Sequence, residues 1–248
     1  MLIRKATRAD IGDMARVAVA SYANDPQDTY MYPRRLEHPK RYLKLKSDII
    51  EHAFEDPTTV PIVAVLDDQE PDWQGTPVIT GFCVWYCESN VGRDSEGAEN
   101  STRETKSSIL KDSDIVDFLS DSLNPIVSSS NTRSVAQHCS NPTSRRFLAG
   151  YEQPSSYYGV YDIGVSPKFQ RRGVARQLMN WGIAKADQEA LPVYLSATPA
   201  GKPLYERLGF RTVGYWTWRP QQGSEWDIMQ RDHNAPVERG EKQNSQDC

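Results

Sequence analysis

Ile11, Met14, Ala15, Ala18 and Tyr22 fall at i, i+3, i+4, i+7 and i+11, one face of a helix. Thr7 stands before it with Asp10 three residues on, an approximate capping box. Leu2 to Ala6 reads as a short strand leading in. A second helix is predicted over Tyr42 to Phe54, stopped by Asp56-Pro57. "VPIVAVL" and "PVITGFCVWYCE" read as strands, parted by the turn-rich "DDQEPDWQGT".

The rhythm breaks between about Ser89 and Gln153, where Ser, Asn, Thr and Arg dominate and apolar residues are sparse. Such composition predicts a polar, partly disordered insertion over 89–153. Ile115, Phe118, Leu119 and Leu123 share one helical face within it, so the insertion is expected to carry one helix. Asp114, Asp117 and Asp121 line a neighbouring face, which suits either a solvated surface or a cationic ligand.

Regularity returns with the strand "YYGVYDIGV" (157–165). After Pro167, Ala175, Leu178, Met179, Gly182, Ile183, Ala186 and Ala190 make a long helical stripe. A strand "VYLSA", a short helix ending at "LYERLGF", and strands "RTVGYWTW" and "EWDIMQR" complete the pattern. Residues 232–248 are polar and aperiodic, a predicted disordered tail. The order predicts one α/β domain over 1–231, a mixed sheet flanked by helices.

Composition narrows the partners. The net charge is -4 over 248 residues, without the broad basic surface that nucleic acid demands. No apolar run approaches the length of a membrane span, and "MLIRKATRAD" lacks a signal-peptide core, so a cytoplasmic protein with no membrane partner is expected. Cys83 and Cys87 lie four apart on a strand, about 13 Å, too far to bridge. The chain has no CxxC pair and no clustered histidines, so no metal is expected.

Chemistry concentrates in "SPKFQRRGVARQLMNWG" (166–182). A strand passes through a basic turn into a helix whose first amides have no intrahelical acceptor and carry the positive end of the helix dipole. Gly173 lets an anion approach the backbone, and Lys168, Arg171 and Arg172 add charge. The site suits a pyrophosphate, although the same residues also fit a basic helix start on a solvated surface. It is neither a P-loop nor a GxGxxG turn.

Together, "YDIGVSPKFQRRGVARQLMNWGIAKA" and "ATPAGKPLYERLGFRTVGY" resemble the GCN5-related N-acetyltransferase superfamily over about 1–88 and 157–231. The closing run "LYERLGF…GSEWDIMQR" is similar to small-molecule antibiotic acetyltransferases of the puromycin type, and many fungal members of the superfamily also look like this. The resemblance implies a mostly antiparallel central sheet that binds acetyl-CoA as co-substrate. It implies pantetheine contacts from the backbone of Ile163, Gly164 and Val165. It implies pyrophosphate contacts from Gln170, Arg171, Arg172, Gly173, Val174, Ala175 and Arg176, mostly through main-chain amides. Thr198 stands where many members carry an asparagine that touches the cofactor arm, and Ala175 replaces a commoner glycine.

Acyl transfer to an amine needs a base for the ammonium proton, donors for the oxyanion and an acid for the departing thiolate. The Val165 amide can serve the oxyanion. Tyr205, placed by the resemblance near the sulfur, is the expected acid, against the alternative of a packed aromatic. Asp162 is the candidate base or water-positioner, against that of a strand acid capping a neighbour. Glu88 and Glu206 are further bases. Gly209 is expected to end its helix in a left-handed conformation. Trp216 and Trp218 share a face, for packing or as a wall for the acceptor.

The expected activity is acetyl-CoA-dependent N-acetylation of a primary amine on a small molecule. Transfer is expected to be direct, because no cysteine lies near the motif in sequence. A protein or peptide N-acetyltransferase and a catalytically silent acyl-CoA-binding domain are the alternatives. Monomer and homodimer are both compatible.

Overall fold

The computed structural model describes residues 1–89, 154–219 and 224–236; the expected insertion helix and most of the expected tail lie outside them. Strands β1 (Leu2–Lys5), β2 (Thr59–Leu66), β3 (Val78–Ser89), β4 (Ser156–Val165), β5 (Val193–Ala197), β6 (Arg211–Arg219) and β7 (Ser224–Arg231) form one seven-stranded sheet. Its order is β1-β2-β3-β4-β5-β7-β6. Every neighbouring pair is antiparallel except β4 with β5. The helices are α1 (Ile11–Ser21), α2 (Pro26–Met31), α3 (Pro39–Glu55), α4 (Val174–Gln188) and α5 (Lys202–Arg207). The α/β class and the mostly antiparallel sheet are as the sequence predicts.

Alternation along the central strands gives each face of the sheet its own core. Val63, Val65, Phe82 and Val84 meet Met14, Ala15, Ala18, Ile50 and Ala53 from α1 and α3. Ile62, Ala64, Cys83, Trp85, Leu195 and Met229 meet Leu178, Met179, Ile183, Tyr205 and Leu208 from α4 and α5. Fully burying one such Leu, Ile or Met side chain contributes about 1.5–3 kcal/mol. Gly182 permits the close seat of α4, since a Cβ there would stand 2.2 Å from the Trp85 ring.

Some boundaries differ from the sequence pattern. The six residues of α2 are too few to show a period; their signal is the start, with Pro26 at the first turn and Asp25 Oδ1 accepting the Asp28 amide at 2.7 Å. Helix α3 begins at Pro39, ahead of its first apolar position, with a proline at its start but no side-chain cap. After Pro167 the chain makes only a 3-10 turn, Pro167–Phe169, and α4 waits until Val174. The start of the expected tail is tied down: Arg231 Nη2 donates to Ala235 O at 2.9 Å, and the Asn234 amide donates to Asp187 at 2.8 Å.

Strand β4 is irregular on both sides. It pairs with β3 along its length but with β5 only at Tyr158–Val193 and Gly159–Tyr194. Beyond Gly159 the two strands part. The ladder to β3 also slips, since Val84 pairs with Asp162 while Trp85 pairs with Val160, leaving Tyr161 as a bulge. Tyr158 and Val160 face α4. Strict alternation would turn Asp162 the same way; the extra residue turns it to the α1 face, alongside Val84. Among the described residues, no helix is long and apolar enough to cross a membrane.

Candidate active site

The parted strands leave the β5-facing edge of β4 from Val160 to Val165 without a ladder partner among the described residues, in the middle of a sheet. Ile163, Gly164 and Val165 lie on this stretch, so an extended chain laid beside it can take up those of its backbone groups that no ladder or side chain already satisfies. Gly164 brings α1 close from behind, because a Cβ there would meet the Phe82 ring at 2.7 Å and Ser21 Oγ at 2.8 Å.

At the end of β4 the chain turns through Arg171 at φ 62° and Gly173 at φ 82° into α4. The first helix-closing bond is Gln177 N to Gly173 O at 3.1 Å. Among the described residues, the amides of Arg171, Arg172, Gly173, Val174, Ala175 and Arg176 donate to no backbone carbonyl. A Cβ at Gly173 would meet nothing within 4 Å, so the turn is open at that residue. This cradle fits the pyrophosphate that the sequence suggests. The side chains play smaller parts. Gln170 Nε2 turns back to Val165 O at 3.2 Å, and Arg172 is paired with Asp72 from the loop between β2 and β3. Arg172 and Lys168 both lie over the Phe169 ring, at 5.4 and 5.5 Å.

Two walls of the cleft carry the titratable groups. From the α5 side comes Tyr205, buried, with a hydroxyl that makes no hydrogen bond among the described residues. Burial raises its pKa, and the Cys83 thiol and the Asp162 charge raise it further, so the phenol stays protonated at neutral pH. From the α1 side comes Asp162, half-buried, accepting from the Tyr22 hydroxyl. The Tyr22 oxygen also lies 3.0 Å from Ile163 O, so one hydrogen is shared between carboxylate and carbonyl. Burial raises the Asp162 pKa, while the Tyr22 hydrogen bond and the Lys46 charge pull it back. Across the cleft on β5, Ser196 Oγ is buried without a partner among the described residues.

Residues 142–212 match the family model of the acetyltransferase (GNAT) domain. Over that stretch the chain is similar to the GNAT acetyltransferase domain. An acetyltransferase of Stachybotrys chartarum is 21% identical over 213 residues, 86% of this chain and 81% of the relative. Among solved structures, "histone acetyltransferase HPA2 and related acetyltransferase" from Corynebacterium glutamicum superposes with a TM-score of 0.57 at 19% identity, covering 95% of this chain and 98% of that one. A Drosophila melanogaster polyamine N acetyltransferase superposes with a TM-score of 0.51 at 13% identity, covering 92% and 97%. Both likenesses are of fold. The family match places the chain in the acyltransferase class.

Within the matched residues 142–212, Tyr205 and Asp162 come from opposite sheet faces into electrostatic reach of one another. Glu206 points to solvent, and Glu88 pairs with Tyr157, four rungs of β3 from Val84, so neither joins them. Thr198 accepts the Gly201 amide on Oγ1 at 3.1 Å, holding the turn into α5; its hydroxyl hydrogen stays free for another acceptor. Gly209 ends α5 at φ 86°, as expected. The side chains of Trp216 and Trp218 lie outside the described residues.

The separation of cysteine from the motif holds along the chain and fails in space. Cys83, on β3, is close enough to Tyr205 to raise its pKa. Sequence distance hides it, because β3 is brought in by strand pairing. Its thiol is buried, and burial drives its pKa well up, so it is a protonated and poor nucleophile. Nothing in the sequence marks Tyr22 or Ser196 as a site residue. Tyr22 reads there only as an apolar position on the α1 face.

Proposed function

We propose that this GNAT domain transfers an acetyl group from acetyl-CoA to the primary amine of a small molecule, directly and without an acyl-enzyme. One observation carries the reading: β4 parts from β5 after Gly159, and Asp162 and Tyr205, from opposite faces of the sheet, lie within electrostatic reach of one another. Acetyl-CoA supplies an activated thioester when bound. The residues of the chain then have distinct tasks. The free edge of β4 holds an extended arm, and the amides of Arg171 to Arg176 hold the phosphates. Asp162, its pKa raised by burial, is a stronger base than a solvated carboxylate and takes the ammonium proton. Tyr205, kept protonated, gives its hydrogen to the leaving sulfur. The protonated state of Cys83 supports direct transfer. The likeness in fold to the Drosophila enzyme, whose product is N-acetylagmatine, fits a small amine acceptor.

The test is release of free thiol from acetyl-CoA by the pure protein across a panel of di- and polyamines, amino sugars, arylamines and a lysine peptide. Turnover with a small amine and not with the peptide is expected. Tight acetyl-CoA binding with no thiol release on any amine would reduce the domain to a silent binder.

A further inference from the structure

Behind Asp162, away from the cleft, lies a buried polar cluster that the proposed reaction leaves unused. Lys46 of α3 and Asp28 of α2 are 8% and 6% exposed. Lys46 Nζ is 2.5 Å from Asp28 Oδ1. Its ammonium also lies 4.9, 5.1 and 5.3 Å from the ring centroids of Tyr22, Tyr32 and Tyr42. The Tyr42 hydroxyl donates to Asp28 Oδ2, and Arg35 Nε is 3.8 Å from the same oxygen. Arg35 is held in turn by Ala23 O at 2.9 Å and Thr29 Oγ1 at 2.8 Å.

A buried ion pair is a poor way to stabilise a fold, since desolvating two charges offsets most of their attraction. An aromatic box around an ammonium does something more specific: it fixes the cation over the ring faces at a set distance. One ring of this box is Tyr22, and the hydroxyl of Tyr22 is the donor to Asp162. The cation, the ring and the carboxylate therefore form a row running from α3 through α1 to β4. We propose that Lys46 is a positioning residue, whose boxed ammonium holds the Tyr22 ring in place and keeps the Asp162 carboxylate ionised without touching the cleft. The inference rests on the reading of Asp162 as the base.

The charges around Asp162 assign the signs. Tyr22 faces it from α1, Asp28 from α2, Lys46 from α3, and the Cys83 thiol from β3; Tyr205 faces it from α5. Tyr22, Cys83 and Tyr205 are all held neutral by raised pKa values. The two formal charges that remain act oppositely: Lys46 favours the ionised carboxylate and Asp28 opposes it. Arg35 is turned to Asp28.

The experiment titrates protein labelled with 13C at the aspartate carboxyl carbons, the Asp162 resonance being assigned by its loss in Asp162→Asn. Lys46→Gln, which still reaches Asp28 with an amide, should move the Asp162 midpoint up by about one pH unit, the scale of one charge at this range. Asp28→Asn should move it down. Lys46→Arg should restore the wild-type value. The opposite signs let either variant decide if the other fails to fold. Midpoints that stay put, or move together, would overturn the inference. The acid limb of thiol release should track the midpoints. If the midpoints move as stated but the acid limb stays fixed, or wild-type protein releases no thiol, the electrostatic row stands and the reading of Asp162 as base falls.

Discussion

Tyr22, one residue past α1, gives its phenol hydrogen to Asp162 on β4, 140 positions away in the chain. The contact joins the N-terminal helix to the strand that lines the cleft. It also pulls down a carboxyl pKa that burial raises. Tyr22→Phe keeps the ring and removes the donor. Loss of a hydrogen bond to the charged form raises the Asp162 pKa, so the acid limb of kcat/KM should shift to higher pH, by roughly one unit. The alkaline side should not move. Stability should fall by about 1.5–3 kcal/mol, as for a hydrogen bond to a charged group. Superimposable pH profiles for variant and wild type would detach Tyr22 from the chemistry.

Tyr205→Phe offers a cleaner separation. Its hydroxyl bonds to nothing among the described residues, while its ring packs against Phe210 at 5.9 Å. Folding should therefore be unchanged to within about 0.5 kcal/mol. If the phenol is the acid, kcat should drop by roughly 100-fold with acetyl-CoA affinity intact. Single-turnover rates check this independently of product release. Wild-type rates would make Tyr205 a packing residue.

Gly173 separates strain from recognition. At φ 82° any side chain costs about 1–2 kcal/mol of backbone strain, yet a Cβ meets no neighbour. Gly173→Ala and Gly173→Glu should lose similar stability in thermal melts. Only Gly173→Glu puts a carboxylate before the free amides, and calorimetry should show its coenzyme A affinity at least tenfold below that of Gly173→Ala. Equal affinities would move the phosphates elsewhere.

Arg231 makes a purely structural prediction. It is 2% exposed and spans Asp187 on α4 at 2.7 Å, Leu208 O behind α5 at 3.0 Å and Ala235 O at 2.9 Å. Arg231→Met leaves Asp187 with only the Asn234 amide and takes the donor from three carbonyls, those of Leu208, Asp232 and Ala235, so unfolding free energy should fall by about 3–5 kcal/mol in urea titrations. A loss below about 1 kcal/mol would show that solvent replaces the contacts.

Local rules made much of this legible. The strands announced themselves by alternation, and the free amides before Val174 by a basic turn and a glycine. The placing of Tyr205 and Asp162 came from resemblance rather than from pattern. What escaped was long-range. The bulge at Tyr161 reverses the face of Asp162, and no proline or turn residue stands at Val160 or Tyr161 to announce it. Lys46 sits on the apolar face of α3 between Tyr42 and Ile50, a position where a helical period counts a lysine as a mismatch. Its partner Asp28 lies on a helix too short to be seen by period.

The early parting of β4 from β5 has a mechanical consequence. The sheet is two plates, β1 to β4 and β5 to β7, stitched by two residue pairs and backed by the core beneath α4. A chain laid in the gap becomes the missing rung between them. Ligand binding should then work as a brace: melting temperature should climb with ligand concentration, and amide exchange should slow along Val160 to Val165 before it slows anywhere on β2.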